Sequence, residues 1–404
     1  MIISPKFKGF ICITAHPDGC AENVLDQINY VKSQKKINGL HNVLVIGASA
    51  GYGLSSRIAA TFAGGASTLG VIFDKPASGN RTATAGWYNT AAFEREANQA
   101  GFYAKSINGD AFTQEIKEET IEMIKRDLGK VDLVIYSIAS PRRKDPLTGE
   151  VYTSVLKPLK EPFVSKTVDI NHNTVSDVQI MPANDGDVEQ TVKVMGGEDW
   201  MLWMKALKEA EVLSTGAKTI AYTYIGSDIT KPIYRNGTIG KAKEHLEKTA
   251  IDLNEYLREV GASAYVSSNK ALVTQSSSAI PVVTLYISLL LKIMKEKHLD
   301  ENSVEQIYRL FSDKLYSASS VEAGKTLLRV DDYELRDEVQ REVNHHWNKI
   351  TSENVTQLTD IEGFKSEFLK LFGFGHSRVD YGNETEIYVD IPSISNTNET
   401  KITG

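Results

Sequence analysis

Cysteine is nearly absent from this chain, with two residues, Cys12 and Cys20, in 404. So small a number excludes a disulfide framework and points to a reducing compartment. With His16 the pair makes a three-residue cluster, but no second pair of soft ligands accompanies it, and no metal site is expected. A long apolar run is missing as well. The most apolar segment, IPVVTLYISLLLKIM (280–294), is interrupted by Thr284, Ser288 and Lys292. It is too short to span a bilayer and reads as a buried helix. The opening residues, MIISPKFKGFICITAHPDG, lack the basic stretch, apolar core and small-residue cleavage site of a secretory leader. There is no excess of positive charge: 45 Lys and Arg against 52 Asp and Glu leave a net charge of -7. That excludes a global pull toward nucleic acid. No internal repeat and no Gly/Ser linker is visible. These absences predict a cytoplasmic protein without membrane insertion or nucleic-acid partner.

What is present is ample material for a core, 41% hydrophobic and 24% charged residues. The stretch NVLVIGASAGYGLSSRIAATFAG (42–64) opens on a β-branched run, passes through glycines and continues as a small-residue helix. Further buried strands are expected at 67–74, 102–108 and 131–139, with a helix over 115–128 that Gly129 stops. Alternation at these lengths predicts βαβ units and a doubly wound, mostly parallel sheet of Rossmann type. The polar, turn-rich stretch from about 140 to 215 reads as an insertion on the sheet. Strands follow at 218–227 and 263–269, helices at about 297–375, a strand-like TEIYVDI (385–391) and a disordered tail at 393–404. One large domain, residues 1–392, fits this better than separate ones.

Gly47, Gly51 and Gly53 form G-x-x-x-G-x-G between a strand and a helix, where a tight turn lets a pyrophosphate approach the helix N-terminus. Ser49 and Tyr52 line the same turn. Asp74 ends the second strand, 21 residues after Gly53. A carboxylate there accepts from the adenosine ribose and repels a 2′-phosphate, which favours NADH over NADPH. Asp110-Ala111 follow the third strand and Ile138-Ala139 close the fourth, at the carboxyl ends where such sheets take ligands. Close strand–helix packing is the alternative role for the glycines, and a plain strand end for the others.

In IYRNGTIGKAKEHL (233–246), Tyr234 precedes a helix for which Thr238 is the expected cap, and Lys243 lies just inside it. Lysine near a helix N-terminus opposes the macrodipole. Nicotinamide-driven reduction gives the pair a purpose. A phenol donates a hydrogen bond or proton to the substrate oxygen, while a nearby ammonium lowers the phenol pKa and holds the nicotinamide ribose. The alternative is a core tyrosine with solvated lysines. Arg142, Arg143 and Lys144 read either as a thioester-phosphate contact or as a solvated basic turn, the latter favoured.

Several blocks, in order, carry a resemblance over nearly the whole chain: VLVIGASAGYGLSSR (43–57), AGWYN (85–89), YSIASPRRKDPLTGEVYTSVLKP (136–158), VMGGEDW (194–200), YIGSDITKPIYRNGTIGKAK (224–243), NKALVTQSSSAIPVV (269–283), DDYELRDEVQ (331–340) and LFGF (371–374). The sequence closely resembles the large bacterial enoyl-acyl-carrier-protein reductases of the FabV type and the related trans-2-enoyl-CoA reductases. The resemblance implies a Rossmann-like monomer with an N-terminal hairpin and added helices. It also implies NADH-dependent reduction of the trans-2 double bond of an enoyl thioester carried by acyl carrier protein or CoA. It puts Tyr234 in the place of the proton donor, Lys243 beside it and Tyr224 at the substrate. Cofactor contacts fall on Gly47, Ala48, Ser49, Ala50, Gly51, Tyr52, Phe73, Asp74, Asp110, Ala111, Ile138, Ala139, Lys243, Leu272, Val273 and Thr274. The family commonly has glutamate where this chain has Asp74, so the charge is kept with a shorter reach. The Ile280–Met294 helix resembles the segment that flanks the substrate. Two rival readings remain: a carbonyl or 3-ketoacyl-thioester reductase, and a dinucleotide-binding protein without turnover.

Overall fold

Short β-branched runs alternate with helices through the first third of the chain, and in the computed structural model they pair as that alternation predicts. The structure describes residues 1–8, 11–278, 280–317 and 325–394. The chain forms two compact units, one from Met1–Ser137 with the chain from Leu369 on, the other from Ile138–Phe368.

The first unit begins with an antiparallel hairpin, β1 (Phe7–Lys8) and β2 (Ile11–Cys12). Four parallel strands follow: β3 (Asn42–Ile46), β4 (Ser67–Ile72), β5 (Ala104–Asn108) and β6 (Val131–Tyr136), in the spatial order β6-β3-β4-β5. Val43 to Ile46 are wholly buried, as expected of a parallel strand covered on both faces. The chain steps outward from β3 to β5 and returns on the other side of β3 with β6. The order therefore reverses at β3, and the carboxyl ends of β3 and β6 flank the crevice where doubly wound sheets bind ligands. Helices Pro17–Ser33, Gly51–Ile58, Ala85–Gln99 and Gln114–Met123 connect and cover these strands. The first and third of them were not foreseen in the sequence. Pro17 opens the first and His16 caps it, Nδ1 accepting from the Gly19 amide at 3.3 Å. The His16 ring packs edge-on against Tyr381 at 4.9 Å. His16 is thus a helix cap in an aromatic setting, and Cys12 and Cys20 are buried free thiols.

The strand-like TEIYVDI pairs with no strand. Thr385 pairs with Met1, its amide donating to the Met1 carbonyl at 3.0 Å, and beyond it side chains serve the backbone. The Tyr88 hydroxyl donates to the Ile387 carbonyl at 2.8 Å and Trp87 Nε1 to the Val389 carbonyl at 2.7 Å. Ser393 donates to Glu94 at 2.8 Å. The rest of the expected tail, from 395, lies outside the described residues.

The second unit carries two antiparallel pairs, β7 (Arg142–Lys144) with β8 (Val151–Thr153) and β9 (Phe163–Asp169) with β10 (Thr174–Ile180). It also carries three parallel strands in sequence order, β11 (Leu213–Thr223), β12 (Ser263–Ser268) and β13 (Leu327–Arg329). β13 falls inside the stretch expected to be helical throughout, because three residues are too few to show an alternation. The helix Val283–Glu296 is buried on almost every face, as its apolar sequence predicts. It starts after Val282, whose φ of +74° is costly for a β-branched residue, of order 1–3 kcal/mol. No described helix is long and apolar enough to cross a membrane.

Candidate active site

The glycine turn sits at the carboxyl end of β3. Gly47 (φ +87°) and Gly51 (φ +51°) occupy left-handed backbone that glycine alone adopts freely. A side chain at Gly51 would meet nothing within 4 Å, so the backbone there faces open space. Gly53 answers the packing alternative: a Cβ on it would lie 1.8 Å from the Gly47 carbonyl oxygen. Two of the glycines therefore shape the turn and the third lets the helix approach the strand. The helix begins at Gly51 with no side-chain cap. Asn89 Nδ2 ties the turn down by donating to the Ser49 carbonyl at 3.1 Å.

Asp74 stands just past β4. Its Oδ1 accepts from the Thr84 hydroxyl at 2.7 Å, while its buried Oδ2 has no hydrogen-bond donor. Burial pushes this carboxyl up, against the pull of the Ser49 and Thr84 hydroxyls. Phe73 beside it is 77% exposed, unusual for phenylalanine and suited to stacking on a flat ring. Asp110 is half-buried, and its Oδ1 accepts from the Phe112 amide at 3.0 Å, so one of its oxygens has a structural task. The buried Lys117 ammonium donates to the carbonyls of Ala111 and Phe112 at 3.0 and 3.1 Å and fixes that loop.

The second unit brings Tyr224 and Tyr234 together. Tyr224 follows the last residue of β11. Tyr234 lies in the turn ahead of the helix Thr238–Tyr256, its amide donating to the Thr230 carbonyl at 3.0 Å. The two rings meet edge to face, 4.9 Å apart at 86°. Gly240 is required here, since a Cβ would come within 2.5 Å of the carbonyl oxygens of Tyr234 and Arg235. The expected cap is corrected: the N-cap is Gly237, with no side-chain bond. Thr238 is the first helical residue, and its hydroxyl serves the Val155–Lys157 segment.

The expected effect of Lys243 on the phenol is also corrected. Burial alone moves the Tyr234 phenol, and moves it upward, so it stays protonated and able to donate. Lys243 is half-buried and makes no ion pair among the described residues; burial lowers its pKa to about 8, against the opposing charge of Glu247. Glu247 is engaged elsewhere, by both nitrogens of Arg235 at 2.6 and 3.1 Å. Lys241 pairs with Glu244 at 2.8 Å. Of the two lysines that oppose the helix dipole, one is neutralised locally and the other keeps an uncommitted ammonium.

Leu272 to Thr274 form a tight turn in which the Ser277 hydroxyl donates to the Leu272 carbonyl at 2.9 Å. Ile138 is half-buried and Ala139 exposed at the start of this unit. Arg143, in the basic turn, is buried and pairs with Glu198 at 2.5 Å, which supports a structural role for it. Two residues of this neighbourhood escaped the sequence reading, Tyr286 and Glu334. Tyr286 Oη donates to Glu334 Oε1 at 2.6 Å, and Tyr224 Oη reaches the same oxygen at 3.2 Å. Nothing in local spacing marks them, because Glu334 stands in an acid-rich run that reads as a solvated face.

Phenols held neutral by burial, together with an ammonium that has no carboxylate of its own, suit an anionic ligand and a reaction that places negative charge on a substrate oxygen. With the glycine turn at a switch point, this places the chain among the Rossmann-type oxidoreductases. More narrowly, it belongs to the trans-2-enoyl-CoA reductase family. Residues 81–316 match the family model for the trans-2-enoyl-CoA reductase catalytic region, and residues 2–79 match that for its NAD(P)H binding domain. The chain is 56% identical to the trans-2-enoyl-CoA reductase (NADH) of Ruminiclostridium cellulolyticum, over 98% of this chain and 100% of the relative. It is 55% identical to the enoyl-acyl-carrier-protein reductase (NADH) of Flavobacterium johnsoniae, again over 98% and 100%. The crystal structure of Treponema denticola trans-2-enoyl-CoA reductase in complex with NAD superposes with a TM-score of 0.92 at 45% identity, covering 97% of this chain and 100% of that one.

Residues 324–385 match a model described as an enoyl reductase FAD binding domain. The residues there do not fit a flavin dinucleotide. Its pyrophosphate needs free amides at a helix N-terminus. The helix Asp337–Trp347 opens on Asp337 and Glu338, and the first turn of Ile361–Lys370 is taken by Asp360, which accepts from the Gly363 amide at 2.9 Å. Acidic side chains stand at the first of these positions and a carboxylate takes an amide at the second, so both disfavour a pyrophosphate.

Proposed function

We infer that the chain reduces the trans-2 double bond of an enoyl thioester with NADH, yielding the saturated acyl thioester. The observation that carries the reading is the Tyr224–Tyr234 pair in a chain with an uncommitted Lys243. NADH, when bound, supplies the hydride that goes to Cβ of the substrate. The residues fit this cofactor. Gly47 to Tyr52 leave open backbone at a helix start for the pyrophosphate, and the orphaned Asp74 Oδ2 offers an acceptor for the adenosine ribose hydroxyls. Phe73, Asp110, Ala111, Ile138, Ala139 and Leu272 to Thr274 complete the contacts assigned to it. Lys243 orients the nicotinamide ribose.

As charge gathers on the thioester oxygen, Tyr234 donates to it. A phenol that burial keeps neutral is a donor throughout the neutral range. The proton it yields finishes at Cα. Tyr224, in ring contact with Tyr234, is assigned to the substrate, and the buried helix Val283–Glu296 is assigned to the acyl chain. The acyl group is assigned to a carrier protein in fatty acid synthesis, with CoA thioesters as working substitutes. Relatives of nearly equal identity bear both names, and support for the carrier comes from the role usual in the type the sequence resembles. We place this chemistry in the cytoplasm and in a monomer.

The test follows NADH absorbance with crotonyl-CoA and with acetoacetyl-CoA, for the native chain and Tyr234→Phe. Rapid oxidation with the first substrate alone is expected, with a variant that keeps NADH binding and loses about 100-fold or more in kcat. Oxidation by acetoacetyl-CoA alone would make the chain a carbonyl reductase. Binding without consumption would make it a dinucleotide-binding protein, and full turnover by the variant would remove Tyr234 from the mechanism.

A further inference from the structure

Glu334 is a carboxyl group with 0% exposure that makes no ion pair among the described residues. Its Oε2 accepts from the Ala271 amide at 2.7 Å. Its Oε1 meets two hydroxyls, Tyr286 at 2.6 Å and Tyr224 at 3.2 Å. Gln340 Nε2 donates to the Glu334 carbonyl at 2.7 Å and reaches Tyr286 Oη at 3.4 Å. The charged groups facing it are committed to others. Lys270 is bound to Asp300 at 2.7 Å, and Asp331 to Arg329 at 2.6 Å. No cation pairs with Glu334 among the described residues, and the pull of Lys270 on it is shared with Asp300; a buried carboxylate without an ion pair is costly.

We propose that Glu334 is a positioning residue of the reductase site, one that keeps its carboxyl proton and thereby frees the Tyr224 hydroxyl to donate to the thioester oxygen. The proposal rests on the assignment of Tyr224 and Tyr234 to the site. The argument is a count of hydrogens. An ionised carboxylate only accepts. Both phenol hydrogens would then point at Oε1, and Tyr224 would turn lone pairs toward an oxygen that is gaining negative charge. With a proton on Oε1 the count changes. That proton goes to Tyr286 across the short 2.6 Å contact, reversing the bond in which Tyr286 donates, and Tyr286 turns its own hydrogen toward the Ser227 hydroxyl. The longer 3.2 Å contact releases Tyr224, and with Thr230 Oγ1, 3.3 Å away, acting as donor to it, the Tyr224 hydrogen is left for the thioester oxygen. Oε2 keeps its bond to Ala271 in either state. Burial pushes the Glu334 carboxyl up, the direction this arrangement requires, although Tyr286, the Ala271 amide and the charge of Lys270 pull the other way. No proton leaves the carboxyl in the cycle. Its presence sets the direction of a neighbour's hydrogen.

The test uses the full chain and measures kcat at saturating NADH across pH, so that titration of Lys243 acts on cofactor binding and not on this readout. Glutamine imitates the protonated acid: its carbonyl takes the Ala271 amide and its NH2 faces the hydroxyls. The native kcat is expected to fall at alkaline pH, where Glu334 gives up its carboxyl proton and Tyr224 turns its hydrogen back to Oε1. Glu334→Gln is expected to keep kcat within about threefold near neutral pH and to lose that alkaline fall. Tyr224→Phe should lack the same fall. Glu334→Ala should lower kcat by about tenfold or more with NADH affinity unchanged, and should add less than about threefold in a Tyr224→Phe background. If the alanine variant does not fold, the glutamine profile decides alone. A glutamine variant that retains the native alkaline fall, or is as slow as the alanine variant, overturns the proposal. Tyr234→Phe separates the two levels. If it is slow while Glu334→Gln keeps the native profile, only the role of Glu334 fails; if it turns over like the native chain, the underlying site assignment fails.

Discussion

Binding of NADH should take up a proton at alkaline pH, with Lys243 as the group that receives it. Burial brings this ammonium down to about 8, roughly two units below an ordinary lysine. A base with a depressed pKa carries its charge only below the new value. About nine molecules in ten are charged at pH 7 and about one in ten at pH 9. An anionic dinucleotide favours the charged form, so the complex holds more protons than the free protein above pH 8. Affinity must then fall as pH rises, by about tenfold between pH 7 and 9 and by no more than tenfold per unit for a single group. The stability of the free protein runs the other way. The unfolded lysine stays charged to about 10.4, so the unfolded state binds more protons between the two values and stability rises with pH there. Calorimetry of NADH binding at pH 8, in two buffers of different ionisation enthalpy, reads the uptake directly. The expected value is about half a proton per NADH, and Lys243→Met should abolish it. Zero uptake in the native chain, or the same uptake in the methionine variant, refutes the reasoning.

Three further outcomes follow from particular contacts. Asp74→Ser removes the carboxylate that repels a 2′-phosphate, and the NADPH/NADH ratio of kcat/KM should rise about tenfold or more; equal use of both cofactors by the native chain would defeat the assignment. Tyr88→Phe deletes the donor to the Ile387 carbonyl and leaves the Ala83 amide, which donates to the Tyr88 hydroxyl at 2.9 Å, unpaired. It should cost about 1–3 kcal/mol in a urea melt, and an unshifted midpoint would show that the 385–391 segment is not held this way. Arg235→Ala releases Glu247, one helical turn beyond Lys243. NADH should then bind several-fold more weakly and with less proton uptake at pH 8, and Glu247→Ala in the same chain should restore both; no change in affinity would mean that Glu247 does not reach Lys243.

The sheet was legible where pattern and length were sufficient. The run NVLVI, its glycines and the strand-end Asp74 could be read because close packing on both faces of a parallel strand demands continuous apolar sequence, and the turn demands glycine. β13 was missed for want of length. TEIYVDI misled because alternation describes an extended backbone and says nothing of its partner, which proved to be the side chains of Trp87 and Tyr88. At the site, Tyr234 and Lys243 were legible as types at a spacing. The direction of the phenol shift was not, since it depends on how deeply the ring is buried rather than on which residue lies nine positions away. Glu334 was invisible for the same reason. Only the fold turns one acid of an acidic run inward, under two tyrosines.

One cause runs through the shifts in the second unit. Burial disfavours the charged form of each group, so Tyr224, Tyr234, Tyr286 and Glu334 all move toward neutrality and Lys243 moves part of the way. An ion pair would have prevented this for Lys243, and the helix supplies a candidate partner in Glu247 at the i+4 position. The fork of Arg235 claims that carboxylate first, with the planar two-point geometry that a lysine cannot match. Arg235 therefore has a consequence at a distance from its own contact: it leaves the ammonium of Lys243 with no ion pair among the described residues, only the longer-range pull of Glu247. Such a group responds strongly to an anionic ligand because no ion pair among the described residues has already answered it.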